Sequence, residues 1–248
     1  LRDQSGTPLP PSFDAEGLVL TGNHEVWIVS ERRRQAGHQA RLQRFSLRNG
    51  WLLETKRLPP AWTARPGQGL AVNQGPESLT RSSDGGLVLA AEAPLLQDLA
   101  QGDTDGVRLA HLDLEGVVEE RGRLPLDSVS SDPKETDPKE TVGLTELLAL
   151  DGPPALLALI RRHRPLHWTA KLQLFSWPAR PSPLALQPIT GWDFTTEEVP
   201  RENWEGLAWG PKLDDGRRTL VIVSDDNFSL IQRNLVGLLA PRRSPRCR

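Results

Sequence analysis

The chain has 248 residues, a formal net charge of −2, 22 prolines, 21 glycines and a single cysteine. That length supports a full core within one domain, and the near-neutral charge gives no reason to expect nucleic acid or an anionic membrane as partner. One cysteine, Cys247, excludes an internal disulfide framework or a cysteine metal site, and no apolar run approaches membrane-spanning length.

The first element expected in chain order is a hairpin in "DAEGLVLTGNHEVWIVSE", two alternating apolar runs about a glycine–asparagine turn. The same arrangement returns as "GPESLTRSSDGGLVLAAE", as "LTELLALDGPPALLALIR" and as "NWEGLAWGPKLDDGRRTLVIVSDDN". Aligned on their glutamates, the copies are anchored at Glu16, Glu77, Glu146 and Glu205, with spacings of 61, 69 and 59 residues. Fifteen residues beyond the first three anchors stand Glu31, Glu92 and Arg161; the fourth copy reaches Asp225 after a longer turn. Two more alternating runs follow the hairpin in the first three units, such as "RLQRFSL" and "WLLETKRLP" in the first; the fourth stops after three runs, at "NLVGLLAP". The excess length of the second unit comes from "DPKETDPKET" at 132–141, a charged, proline-rich insertion expected as a loop without order, and 242–248 reads as a tail.

Repeated four-stranded antiparallel units predict an all-β chain, a β-propeller formed as a single domain over 1–248 with four repeat units visible. In that topology the anchor begins strand one and the residue fifteen beyond it ends strand two, so both reach the same face. Glu16, Glu77, Glu146 and Glu205, with Asp225, Asp226 and Asn227, become candidate metal ligands. Converging carboxylates need a counter-charge, and Ca²⁺ accepts many oxygens. Two basic stretches in matching register, Arg32, Arg33 and Arg34 and then Arg161, Arg162 and Arg164, are read as loops suited to an anionic phosphate ester. His163 is a candidate proton donor, beside Glu205 and Asp225 as catalytic carboxylates. There is no G-x-S-x-G elbow, H-E-x-x-H or P-loop, which excludes those sites.

The motifs "DAEGL…VWIVSE", "PESLT…E", "GLTELLAL" and "NWEGLAWGP…DGRRTLVIVSDDNF" together resemble the phytase-like family, also called esterase-like activity of phytase, over roughly residues 14 to 240. The resemblance implies an exported (periplasmic or secreted) bacterial propeller that hydrolyses phosphate esters; with the carboxylate reading this becomes a calcium-dependent hydrolase, expected as a monomer. The alternative is a non-catalytic propeller that binds a ligand or protein around a structural metal. Members of this family carry an earlier blade, so an N-terminal blade is expected to be missing from this chain.

Overall fold

The computed structural model describes residues 1–22, 24–31, 39–104, 106–126, 141–165, 167–178 and 184–242. Arg32, Arg33, Arg34 and the "DPKET" repeat therefore lie outside the described residues, apart from Thr141.

The alternating runs form four antiparallel sheets, arranged as a four-bladed propeller. Blade 1 is β1 (Ala15–Thr21), β2 (Glu25–Ser30), β3 (Arg41–Ser46) and β4 (Leu52–Lys56). Blade 2 is β5 (Pro76–Arg81), β6 (Leu87–Ala91), β7 (Gly106–Leu112) and β8 (Val118–Pro125). Blade 3 is β9 (Thr141–Ala149), β10 (Ala155–Arg164), β11 (His167–Ser176) and β12 (Pro188–Asp193). Blade 4 has three strands, β13 (Trp204–Lys212), β14 (Arg218–Ser224) and β15 (Val236–Leu239). In every sheet spatial order follows chain order, the arrangement tight hairpins impose. No helix among the described residues is long and apolar enough to cross a membrane.

The core is divided among the seams between blades, because each sheet buries side chains on both faces. Trp27, Val29, Leu42, Leu79 and Leu89 fill the seam between blades 1 and 2. Val88, Leu109, Leu144, Ile160 and Phe175 fill the next, and Leu159, Leu172, Trp204 and Ile222 the third. This is why strands such as "LVLAA" are apolar throughout rather than alternating. The outer face of blade 1 differs: Phe13 and Leu9 of the N-terminal segment pack on Val26, Ile28 and Phe45, while Leu18 and Leu20 stay exposed.

The first strands of blades 1, 2 and 3 run side by side, and β13 packs on β9. Gly17 permits the closest of these approaches, since a Cβ there would lie 2.6 Å from the Glu77 carbonyl oxygen. All four first strands carry an irregularity in register near their start, a β-bulge that re-aims the extra residue. In blade 2 the extra residue is Glu77, since Pro76 pairs Ala91 and Ser78 pairs Ala90. In blade 4 it is Glu205, and in blade 1 it falls within Glu16–Gly17.

Blade 3 departs from the expected alignment. Leu144 pairs Ile160 and Glu146 pairs Leu159, so the extra residue is Thr145. The structural counterpart of Glu16, Glu77 and Glu205 is thus Thr145, and Glu146 falls one position later. The basic stretch at 161–164 is also corrected. It is not a loop, because β10 and β11 remain paired as far as Arg164 and His167.

Candidate functional site

Each bulge stands near a residue of its blade's second strand, just past that strand's end in blades 1, 2 and 4 and within β10 in blade 3. The four pairs are Glu16 with Glu31, Glu77 with Glu92, Thr145 with Arg161, and Glu205 with Asp225. Three blades offer two carboxylates. Blade 3 offers a hydroxyl and a guanidinium.

Arg161 joins these groups. Its Nη2 donates to Glu92 Oε1 at 2.9 Å, and its Nη1 donates to Asn203 Oδ1 at 2.7 Å and Glu205 Oε1 at 2.5 Å. Asn203 Nδ2 donates to the same Glu205 oxygen at 2.7 Å. The guanidinium therefore spans blades 2, 3 and 4, with the forked geometry that lysine lacks.

Glu77 lies beside this group and hydrogen-bonds Glu92. Burial, then repulsion from Glu92, holds the Glu77 carboxyl well above the usual range, with Glu16 and Glu205 adding to the effect and Arg161 opposing it. Burial also raises Glu92 and Glu205, again against the pull of Arg161. Both acids of the pair thus favour the protonated form more than a carboxyl in water does.

In blade 1, one oxygen each of Asp14, Glu16 and Glu31 lies within 4.8 Å of the others. Glu31 is buried and its Oε1 accepts the Gly75 N–H at 2.8 Å, so it also touches blade 2. Gly75 makes room for it, because a Cβ there would lie 2.6 Å from Glu31 Cγ.

Glu146 does not join the others. Its Oε1 accepts the N–H groups of Leu79 at 3.3 Å and Leu147 at 2.9 Å, tying blade 3 to blade 2. Burial pushes its carboxyl up to about 8. Thr145, at the bulge, donates toward the carbonyls of Leu159 and Trp204. Asp225 accepts from Asn227 N–H and Asp226 from Phe228 N–H, so this acidic stretch is a self-bonded turn at the rim, with Asp225 close enough to repel Glu205. His163 stacks on Trp168 at 5.0 Å between ring centres. Arg162 and Arg164 lie on the opposite face of the sheet from Arg161, as strand alternation requires.

Sequence reasoning missed Asp14 and Asn203. Each stands two residues before an anchor, in "DAEG" and "NWEG", and period two puts such residues on one face. That spacing was the available signal.

A second polar cluster joins Ser82, Asp84 and His111 in blade 2. Arg121 donates to His111 Nδ1 at 3.2 Å, which leaves the ring proton on Nε2, facing Ser82 Oγ and Asp84 Oδ1 at 3.3 Å each. A serine nucleophile needs a bare nitrogen at that position. The cluster fastens the hairpin turn between β5 and β6 instead.

The family profile described as phytase-like, esterase-like activity of phytase, matches residues 1–228. The chain belongs to this family. Among solved structures, a phytase-like chain of this sequence is similar to a member of the DUF4221 family from Bacteroides vulgatus, at 9% identity and a TM-score of 0.45. That alignment covers 92% of the present chain and 64% of the Bacteroides protein, so the phytase-like chain spans under two thirds of its length. No curated protein matches the chain significantly.

Proposed function

We propose that the acidic end of this phytase-like propeller hydrolyses phosphate esters with the help of a calcium ion. The observation that carries the reading is the gathering of Asp14, Glu16, Glu31, Glu77, Glu92 and Glu205 at one end of the ring, with Arg161 bonded to Glu92 and Glu205. So negative a face repels an anionic ester unless a cation is added. Asp14, Glu16 and Glu31 fit a hard cation: three carboxylates, all-oxygen donors, with oxygens within 4.8 Å of one another. Bound there, calcium would supply a Lewis acid for a phosphoryl oxygen.

The chain's own groups divide the proton work. Glu77, whose burial and acidic neighbours favour the protonated form, can release a proton to a leaving alkoxide, the role of a general acid. Glu205, oriented by Asn203 and Arg161 and raised by burial, can accept a proton from water. Arg161 positions Glu92 and Glu205. His163 has no assigned step, because its ring is packed on Trp168.

A second reading, a binding propeller without chemistry, draws on the same guanidinium, which bonds Glu92, Asn203 and Glu205 of the neighbouring blades. The test is phosphate release from p-nitrophenyl phosphate with calcium and with chelator. Calcium-dependent release, lost in Glu77→Gln with unaltered melting, is expected. A folded protein that melts higher in calcium yet releases nothing leaves the binding propeller.

A further inference from the structure

The outermost strands of the four sheets are not alike. β4 carries Glu54 and Lys56, β8 carries Glu119 and Glu120, and β12 opens on Pro188 and closes on Asp193. Charges and prolines of this kind discourage a sheet edge from pairing with another chain. Other segments also bridge two of these edges: Arg2 pairs Trp51 beside β4, and Ala185 pairs Arg123 of β8. Blade 4 ends instead on β15, "VGLL", with no charge and no proline. Among the described residues nothing pairs with its far edge.

The pairing of β15 with β14 fixes which groups that edge presents. Ser224 N–H donates to the Leu235 carbonyl at 3.0 Å, and bonded pairs alternate with open ones along an antiparallel ladder. Gly237 and Leu239 therefore turn their backbone groups toward β14, and Val236 and Leu238 turn theirs outward. The side chains of these same two residues are 78% and 57% exposed. Opposite them on β14, and on the same face, stand Val223 and Val221, the first of them also exposed.

We propose that β15 is the contact through which two copies of this chain pair, edge to edge and antiparallel, across a two-fold axis at Gly237. In that register Val236 of each copy lies opposite Leu238 of the other. The two residues exchange the backbone bonds that β14 leaves open, and their side chains form apolar cross-strand pairs. Self-complementarity of this kind singles out a second copy as the occupant, and a two-fold contact closes on a dimer rather than a fibre. Charge does not oppose it, because the flanking Arg233 and Arg242 are already paired with Glu202 and Glu197. Pro241 stops the ladder after these few residues, so the dimer is weak and dissociates on dilution. It would take the place of the monomer expected from sequence. The inference does not depend on the acidic face being catalytic.

The experiment is sedimentation of the chain at rising concentration, combined with amide hydrogen exchange at Val236 and Leu238. Reductant is present throughout, so that Cys247 cannot link copies. A reversible monomer–dimer shift is expected, with exchange at those two amides slowing as the dimer fills. Val236→Pro removes an outward N–H without taking a bond from β14. It should leave the melting temperature in place and weaken dimerisation about tenfold or more. Leu238→Lys puts a guarding charge on the edge at an exposed side chain and should act in the same direction. It keeps the test valid if the proline variant melts early. A chain wholly monomeric at about 1 mM, a dimer that leaves exchange at both amides unchanged, or a dimer untouched by either variant overturns the proposal. So does a monomeric chain whose two amides are protected by an added peptide of residues 50–58, since the edge would then belong to a strand from elsewhere.

Discussion

Glu146 allows a quantitative check on the seam between blades 2 and 3. Its carboxyl is pushed from an ordinary 4.5 to about 8 by burial, while its Oε1 accepts two backbone N–H groups. Between those two values the unfolded chain is ionised and the folded chain holds a proton. Folding then takes up a proton, so stability falls as pH rises from the lower value to the upper one. The slope is about 1.4 kcal/mol per pH unit, giving a ceiling of roughly 4 to 5 kcal/mol across the interval. Part of the residue remains accessible to water, which lowers this to an expected 2 kcal/mol or more. Glu146→Gln keeps the accepting oxygen and removes the titration. Urea denaturation at pH 5, 6, 7 and 8 should show the variant close to the parent at pH 5 and progressively more stable toward pH 8. Glu77, Glu92 and Glu205 titrate in both proteins and cancel in the difference. Two parallel stability curves would refute the enclosure of this carboxyl.

Arg161→Met should lower stability by roughly 3 to 5 kcal/mol, because it removes the guanidinium bonded to the buried Glu92 and to Glu205; a thermal melt reads it, and acid pH should restore part of the loss by protonating those two carboxylates. Gly17→Ala should cost about 1 to 3 kcal/mol in the same assay, since its methyl group would meet the Glu77 carbonyl between the first two blades. An unchanged melting temperature would show that β1 and β5 can move apart freely.

The repeat was legible because every unit restates one pattern of turns and apolar alternation, and four such units select a propeller. The third anchor was misplaced for a physical reason. Counting residues aligns Glu146 with the other glutamates, but the bulge is set by ladder pairing, and pairing selects Thr145. The basic stretch at 161–164 read as a loop because charge clusters suggest solvent. Pairing with residues 167–170 holds it in a strand and sends consecutive arginines to opposite faces. Arg161 thereby becomes a counter-charge at the acidic face, and Arg162 lines a cavity on the opposite face of the sheet. Neither placement is visible until the register of β10 against β11 and β12 is known, since the lining residues are scattered from 160 to 196.

Three of the ties among blades share one direction, whereas Glu146 reaches back to Leu79 and Arg161 also reaches back to Glu92. Glu31 reaches forward to Gly75, the Glu92 carbonyl accepts Leu144 N–H at 2.9 Å, and Arg161 reaches forward to Asn203 and Glu205. Each fastening group comes from a hairpin that leaves the ribosome before the segment it fastens. A finished hairpin can thus serve as template for the unit that follows, and the ring can be assembled in order of synthesis with little waiting for distant partners. In the fourth blade the equivalent residue, Asp225, turns back on its own loop through Asn227. Coupling therefore travels along the chain like a row of clasps, and opening the clasp at Arg161 should release blade 4 while leaving the first two blades joined.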